Sequence, residues 1–543
     1  MPPFFLRLPF SDRLWFSASE ARLNKLDPLS SKSSGSEGKV LFPAGIALLF
    51  LCVTLVQASI KPLWGDEFVT LWIGQQRSFA GIWRALEAGT DPNPPLMHVL
   101  DWWSTSLLGT GAIAVRLPSI LAMGLGLVCL WIFLRQRLAP VYAAAGCLAL
   151  MTMRGFDYAY DARSYGLLMG FAMAALMFWS LSVDAQGWKR LALLCGLAVA
   201  LAAGLSSNYY GMMGFFPILA GERRVHASTG RFRAGALVAM LIAALPLLAY
   251  VKLFRLNLAE FGPHAWHKPH LSMISDSYLL MVEGIFWPVV ALFVYTQLRY
   301  RTGSRIQVRD RPFPFWDRGA VGVLLVIPLF AFCIALGSGG MVTPRCAIPV
   351  CLGFAIWGAA LMARCIRHRT AVGVVAFLCV WVVAREAACG YVLLHQRHAF
   401  FDLRDAVERA AAPGEPVVLG DSLVVMPLYW YGSAALRQQI VFPIDFDAIY
   451  RSETDDSREQ NLWGGRNGVF PVAIAAPDEL LQEARERVLV APPSGWIARE
   501  MQARGYALHE QPAAVPWQRL GGVFTPMVHE RTRVLLATPQ SSK

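Results

Sequence analysis

The sequence predicts a polytopic α-helical membrane protein with a small α/β domain at its C-terminal end. Three observations carry that prediction. The chain has 543 residues, 55% of them hydrophobic and only 16% charged, whereas a soluble domain carries about 25% charged residues. Apolar stretches near the length of a bilayer crossing recur along most of the chain, and the connections between them alternate between basic and acidic or neutral. Near residue 393 this pattern gives way to short alternating helix and strand signals.

The formal charge of +12 is unevenly spread. Residues 1–392 hold 34 Lys and Arg against 19 Asp and Glu, and the remainder holds 15 against 18. A basic excess confined to the hydrophobic part points to positive loops on one membrane face, and no basic–aromatic run suggests nucleic-acid binding. Residues 1–39 are Ser-rich and basic and read as a disordered cytoplasmic arm. The long apolar stretch after Lys39 argues against a cleaved signal peptide. All ten cysteines lie between Cys52 and Cys389. Their placement within apolar stretches, without CxxC or Cys/His spacing, reads as buried thiols.

Hydropathy places spans at about 40–60, 113–134, 139–153, 164–183, 190–206, 208–220, 234–254, 277–298, 319–337, 346–363 and 371–392, about eleven within a membrane domain of 40–392. Residues 61–111 hold Asp66, Glu67, Glu87, Asp91 and Asp101. They are too charged to cross the membrane and read as a first outer loop with interfacial helices, including a juxtamembrane helix near 96–109. With the N-terminus inside, the even-numbered connections carry Arg135/Arg137, Lys189/Arg190, Glu222–Arg233, Arg299–Arg318 and Arg364–Arg369. All are basic, as cytoplasmic loops should be. An odd number of spans then puts residues 393–543 outside. In that region helices are predicted at Asp402–Ala412 and Ile497–Arg504. Strands are predicted at Pro416–Leu419, Gln439–Phe442, Val469–Ala475, Val488–Ala491 and Arg533–Ala537.

The residues with chemical potential gather at the outer ends of the spans. Asp66 and Glu67 are adjacent carboxylates just beyond the first span, where desolvation makes idle charge costly. Such a carboxylate can take a proton from an attacking hydroxyl; a helix cap or solvated loop pair is the alternative. Arg154, Asp157, Asp161 and Arg163 crowd the connection before the fourth span, forming either a polar pocket or mutual salt bridges. Arg163 suits a phosphate through its guanidinium fork. Arg345 precedes the tenth span as a phosphate ligand or an interfacial anchor. His264, His267, Lys268 and His270 offer anion binding or proton transfer, and their His-x-x-His-x-x-His spacing is a weak metal signal.

These pieces in order resemble the GT-C membrane glycosyltransferases, in the group related to dolichyl-phosphate-mannose protein mannosyltransferases and the bacterial aminoarabinose transferase. The resemblance rests on Asp66-Glu67, Asn93-Pro94-Pro95-Leu96, Arg116-Leu117-Pro118-Ser119 and Tyr160-Asp161-Ala162-Arg163-Ser164-Tyr165-Gly166-Leu167-Leu168. Relatives often carry His or Lys at the position of Asn93, Glu at that of Asp161, and Tyr at that of Cys346.

The resemblance implies sugar transfer from a polyprenyl-phosphate donor to an envelope glycan, lipid or protein acceptor at the outer face of a bacterial inner membrane, with inversion. Asp66 would be the general base, with Glu67 and Asp161 as further acidic site residues. Arg163, Arg345, Asn93, His267 and Tyr165 would bind substrate or lipid phosphate. No cofactor is required on this reading; a divalent cation is not supported by any strong ligand set. A transporter, flippase or polymerase of lipid-linked glycans is the alternative function, and a non-catalytic scaffold a third. Convergence of Asp66 and Asp161 on one site would favour the enzyme.

Overall fold

A computed structural model describes residues 37–230, 232–261, 269–291, 294, 315–338, 343–453, 457–483, 485–512 and 532–540. Two hydrophobic cores organise the protein from residue 42 onward. One lies among the apolar helices. The other joins the first loop, residues 61–111, to the C-terminal sheet.

The first long helix, α1 (Glu37–Ile60), is followed by three short helices in the first loop: α2 (Gly65–Gly74), α3 (Phe79–Glu87) and α4 (Leu96–Leu108). Local chemistry sets their ends. Ser78 caps α3 by accepting from the Gly81 N–H at 3.0 Å. Pro94-Pro95 cannot extend a preceding helix and leads into α4, which ends at Gly109 with φ of 79°. Then come α5 (Ala112–Arg135), α6 (Pro140–Thr152), a 3₁₀ segment (Arg154–Tyr160), α7 (Ser164–Asp184) and α8 (Gly187–Ser207). Helices α5 and α7 approach closely at Gly170, where a methyl group would lie 2.2 Å from the Ala122 carbonyl oxygen. Small residues at helix contacts allow such approach in membranes.

Six described helices are long and apolar enough to cross a membrane, or eight if two bent pairs each count as one span. The predicted count of eleven is therefore not reached on that criterion. The difference has a physical source. The pair Ala234–Ala244 and Pro246–Ala259 bends by 42°, and Asp317–Leu325 and Ile327–Gly337 by 60°. Pro246 and Pro328 sit at these breaks, where the missing N–H interrupts the helical ladder. The segments 140–152 and 350–365 are apolar helices shorter than a full crossing. Residues 208–220 form a 3₁₀ turn followed by the start of the helix Phe215–Thr229.

The final helix of this region, His368–Ala410, runs 43 residues without interruption through residue 393, the predicted start of the outer domain. It delivers the chain to a six-stranded sheet of order β3-β2-β1-β4-β6-β5. These strands are β1 (Val417–Leu419), β2 (Ile440–Pro443), β3 (Ala473–Ala475), β4 (Arg487–Ala491), β5 (Tyr506–Glu510) and β6 (Arg533–Pro539). The first four in spatial order are parallel, with Val417 opposite both Ile440 and Val488, while β6 runs antiparallel to β4 and β5. The predicted stretch 469–475 shortens to Ala473–Ala475, and β5 was not predicted.

The first loop packs against this domain. Phe68 and Trp72 of α2 pack among Tyr429, Trp430, Tyr431 and Phe470, with ring centroids 5.4 to 6.2 Å apart. The Leu63 N–H donates to the Tyr431 hydroxyl at 2.9 Å. The apolar side of α2 is thus buried against the sheet domain.

Candidate functional site

The site forms where the Trp64–Glu67 turn, the 91–93 turn, the 161–165 connection and the 3₁₀ turn Pro344–Ala347 meet. Its centre is fixed by a buried ion pair. Glu67 has no solvent exposure, nor has Arg116. Arg116 donates through Nε at 2.7 Å and through Nη2 at 2.5 Å to the two carboxylate oxygens. Glu67 also accepts from the Ala162 N–H at 2.8 Å. The same guanidinium donates to the carbonyls of Ala58 and Lys61 through Nη1 and of Pro62 through Nη2, at 2.6 to 3.0 Å. One arginine therefore ties the end of α1, the turn before α2 and the 161–163 connection together.

Asp161 lies beside this knot. Lys61 is 3.4 Å from its carboxylate, and the Trp64 indole N–H donates to it at 3.2 Å. Burial pushes its pKa up, but Lys61, the Trp64 hydrogen bond and the nearby Arg116 charge outweigh burial and hold it below the usual carboxylate value. Asp157 turns elsewhere: it pairs with Arg385 at 2.7 Å and accepts from the Tyr160 hydroxyl at 3.2 Å.

Asp66 differs from its neighbour. Its side chain is 20% exposed and lies 3.8 Å from Arg345, itself 26% exposed. Its backbone carbonyl accepts from Arg163 Nη1 at 3.2 Å. Tyr165 lies tilted against Tyr158 with centroids 4.8 Å apart. Burial disfavours the Arg345 charge, and the nearby Asp66 and Asp161 carboxylates favour it. Asn93 completes the rim, with its side-chain oxygen accepting from Asn208 at 2.9 Å. Of the residues singled out from the sequence, Asp66, Glu67, Asp161, Arg163, Arg345, Asn93 and Tyr165 converge. His267 lies outside the described residues. Among the described residues no group of three His, Cys, Asp or Glu side chains is placed to hold a metal ion.

Sequence reasoning missed three supports. Lys61 read only as the end of a span, Arg116 only as part of a motif, and Asp91 only as loop charge. Asp91 accepts from Arg163 at 2.7 Å and from the Asn93 N–H at 2.9 Å. Burial raises its pKa, and Arg163, His98 and Asn93 together bring it below the usual value. His98, on α4, sits 3.8 Å from Asp91. Burial outweighs that carboxylate and depresses the ring's pKa to about 4. Three residues on, Asp101 is fully buried, with a pKa raised by burial and then by Glu67.

His98 yields a signed prediction. The unfolded ring titrates near pH 6.5, about 2.5 units higher than the folded one, so the unfolded state binds more protons between those values. Stability contributed by neutral His98 is complete above about pH 6.5 and is lost as pH falls toward 4, by up to about 3 kcal/mol. Thermal unfolding of wild type and His98→Asn at pH 7.5 and pH 4.5 checks this. The wild type should lose more stability on acidification than the variant; equal losses would refute it.

Buried charges joined across the first loop, and two arginines beside a partly exposed carboxylate, form a polar site of both charges on a protein of apolar helices. Comparisons narrow the class. Residues 92–250 match the family described as dolichyl-phosphate-mannose-protein mannosyltransferase. The crystal structure of ArnT from Cupriavidus metallidurans in the apo state shares the fold, with a TM-score of 0.59 and 15% identity over 93% of this chain and 98% of that one. The same protein bound to undecaprenyl phosphate gives a TM-score of 0.56 and 14% identity over the same shares. No curated protein matches the chain by sequence. The chain is a multi-pass helical membrane protein with the ArnT-like fold, similar to the GT-C group of protein mannosyltransferases and aminoarabinose transferases.

Proposed function

We propose that the protein transfers a sugar from a polyprenyl-phosphate donor to a hydroxyl acceptor at the outer membrane face, with inversion and with Asp66 as general base. The carrying observation is the division between adjacent carboxylates: Glu67 is consumed by Arg116, whereas Asp66 stays partly open between Arg163 and Arg345. The acceptor oxygen forms a bond to the anomeric carbon as its proton passes to Asp66. The bond from that carbon to the phosphate oxygen breaks, and polyprenyl phosphate leaves with its charge held by the two arginines. Glu67 and Arg116 fix the turn that presents Asp66, and Asp161 with Lys61 and Trp64 forms the adjoining wall. On this reading the N-terminus is cytoplasmic and the sheet domain lies outside a bacterial inner membrane.

Supporting the donor class, the ArnT of the same fold has been crystallised with undecaprenyl phosphate. The test is transfer of labelled sugar from a panel of undecaprenyl-phosphate sugars by purified protein, wild type beside Asp66→Asn. Loss of transfer in the folded variant is the expected result. Full transfer by Asp66→Asn would remove Asp66 as the base, and no transfer by wild type with any donor would remove the reaction.

A further inference from the structure

The arginine nearest Asp66 is not left to find its own orientation. Arg163 Nη1 donates both to the Asp91 carboxylate at 2.7 Å and to the Asp66 carbonyl at 3.2 Å. Asp91 is 1% exposed, so this contact is shielded from water and from competing ions. Its second oxygen is occupied by the Asn93 N–H at 2.9 Å and the Asn93 amide at 2.6 Å. Both Asp91 oxygens are thereby fixed, one to the Pro-Pro turn and the other to the arginine. The Arg163 Nε is buried with no hydrogen-bond partner, which is costly for a guanidinium unless something else meets it. His98, 3.8 Å from Asp91, is a further ionisable group against this carboxylate, and Tyr209 lies near enough to feel its charge.

We propose that Asp91 is a positioning residue: it holds the Arg163 guanidinium in the plane from which its free N–H groups meet the donor phosphate. The inference rests on the reaction proposed above. A flexible arginine loses rotamer freedom on gripping a phosphate, and a neighbouring carboxylate that fixes it beforehand removes that cost. The opposing effect is electrostatic, because Asp91 also offsets the positive charge that attracts the phosphate. Orientation wins here because Arg345 supplies a second cation at the same rim, while Arg163 is fixed at one nitrogen by Asp91.

Undecaprenyl phosphate is titrated into the full-length protein in detergent, with tryptophan fluorescence as the readout. The proteins are wild type, Asp91→Asn, Arg163→Gln and the double variant. Asp91→Asn should weaken binding about tenfold, and adding it to Arg163→Gln should weaken binding no further, since Asp91 acts through Arg163. Additive losses would mark a merely structural role and overturn the proposal, as would unchanged or tighter binding by Asp91→Asn. If Asp91→Asn does not fold, Asp91→Glu carries the same comparison, with a smaller loss expected that again vanishes on the Arg163→Gln background. A wild type that neither binds undecaprenyl phosphate nor transfers sugar refutes the underlying reaction. A wild type that does both, beside an Asp91→Asn protein that binds equally well, refutes only the role of Asp91.

Discussion

Asp66→Asn is expected to lower sugar transfer by about 10²–10⁴-fold, the usual contribution of a positioned general base. Stability should change by no more than about 0.5 kcal/mol, because the substitution is nearly isosteric and the side chain is partly solvated. The neighbouring Glu67→Gln should behave differently. It weakens a charge-assisted knot that joins α1, α2 and α5, so its loss should appear first in unfolding and only secondarily in the transfer rate. Measuring both variants by rate and by thermal unfolding separates the two roles. If Glu67→Gln kept wild-type stability while abolishing transfer, the base would belong at Glu67.

Arg116→Met should carry the largest stability cost. It leaves Glu67 charged and buried without its partner, a change worth about 3–5 kcal/mol. It also strips three carbonyls, those of Ala58, Lys61 and Pro62, of a donor. The double change Glu67→Gln with Arg116→Met should therefore recover only part of the loss: the buried charge is gone, but the carbonyls still lack partners. Thermal unfolding in detergent reads this directly. Full recovery by the double variant would show that the carbonyl contacts contribute nothing.

Much of the fold was legible because the bilayer imposes a strong rule on apolar length, which α1, α5, α7 and α8 follow to within a few residues. The broken pairs at Pro246 and Pro328 were read as single spans because apolar composition continues through them while geometry does not. In the outer domain, Ser422–Tyr431 is so apolar, and Phe446–Glu453 and Ser457–Gly465 so short, that none announced a soluble helix. The site was legible as residue types but not as partnerships. Nothing local separates Asp66 from Glu67; the arginine that separates them lies 49 residues further on. Lys61 likewise meets Asp161, 100 residues further on, only in the folded chain.

The shared core of the outer loop and the sheet domain bears on when the protein becomes competent. Leu63 and Tyr431, joined by a hydrogen bond, are 368 residues apart in the chain. At about 5–20 residues per second, a ribosome needs roughly 20–70 s to make the second after the first. Throughout that interval Phe68 and Trp72 have none of Tyr429, Trp430 or Tyr431 to pack against. The turn carrying Asp66 is synthesised well before the segment it packs against. A nascent or prematurely terminated chain therefore carries its first loop without the partner that it packs against.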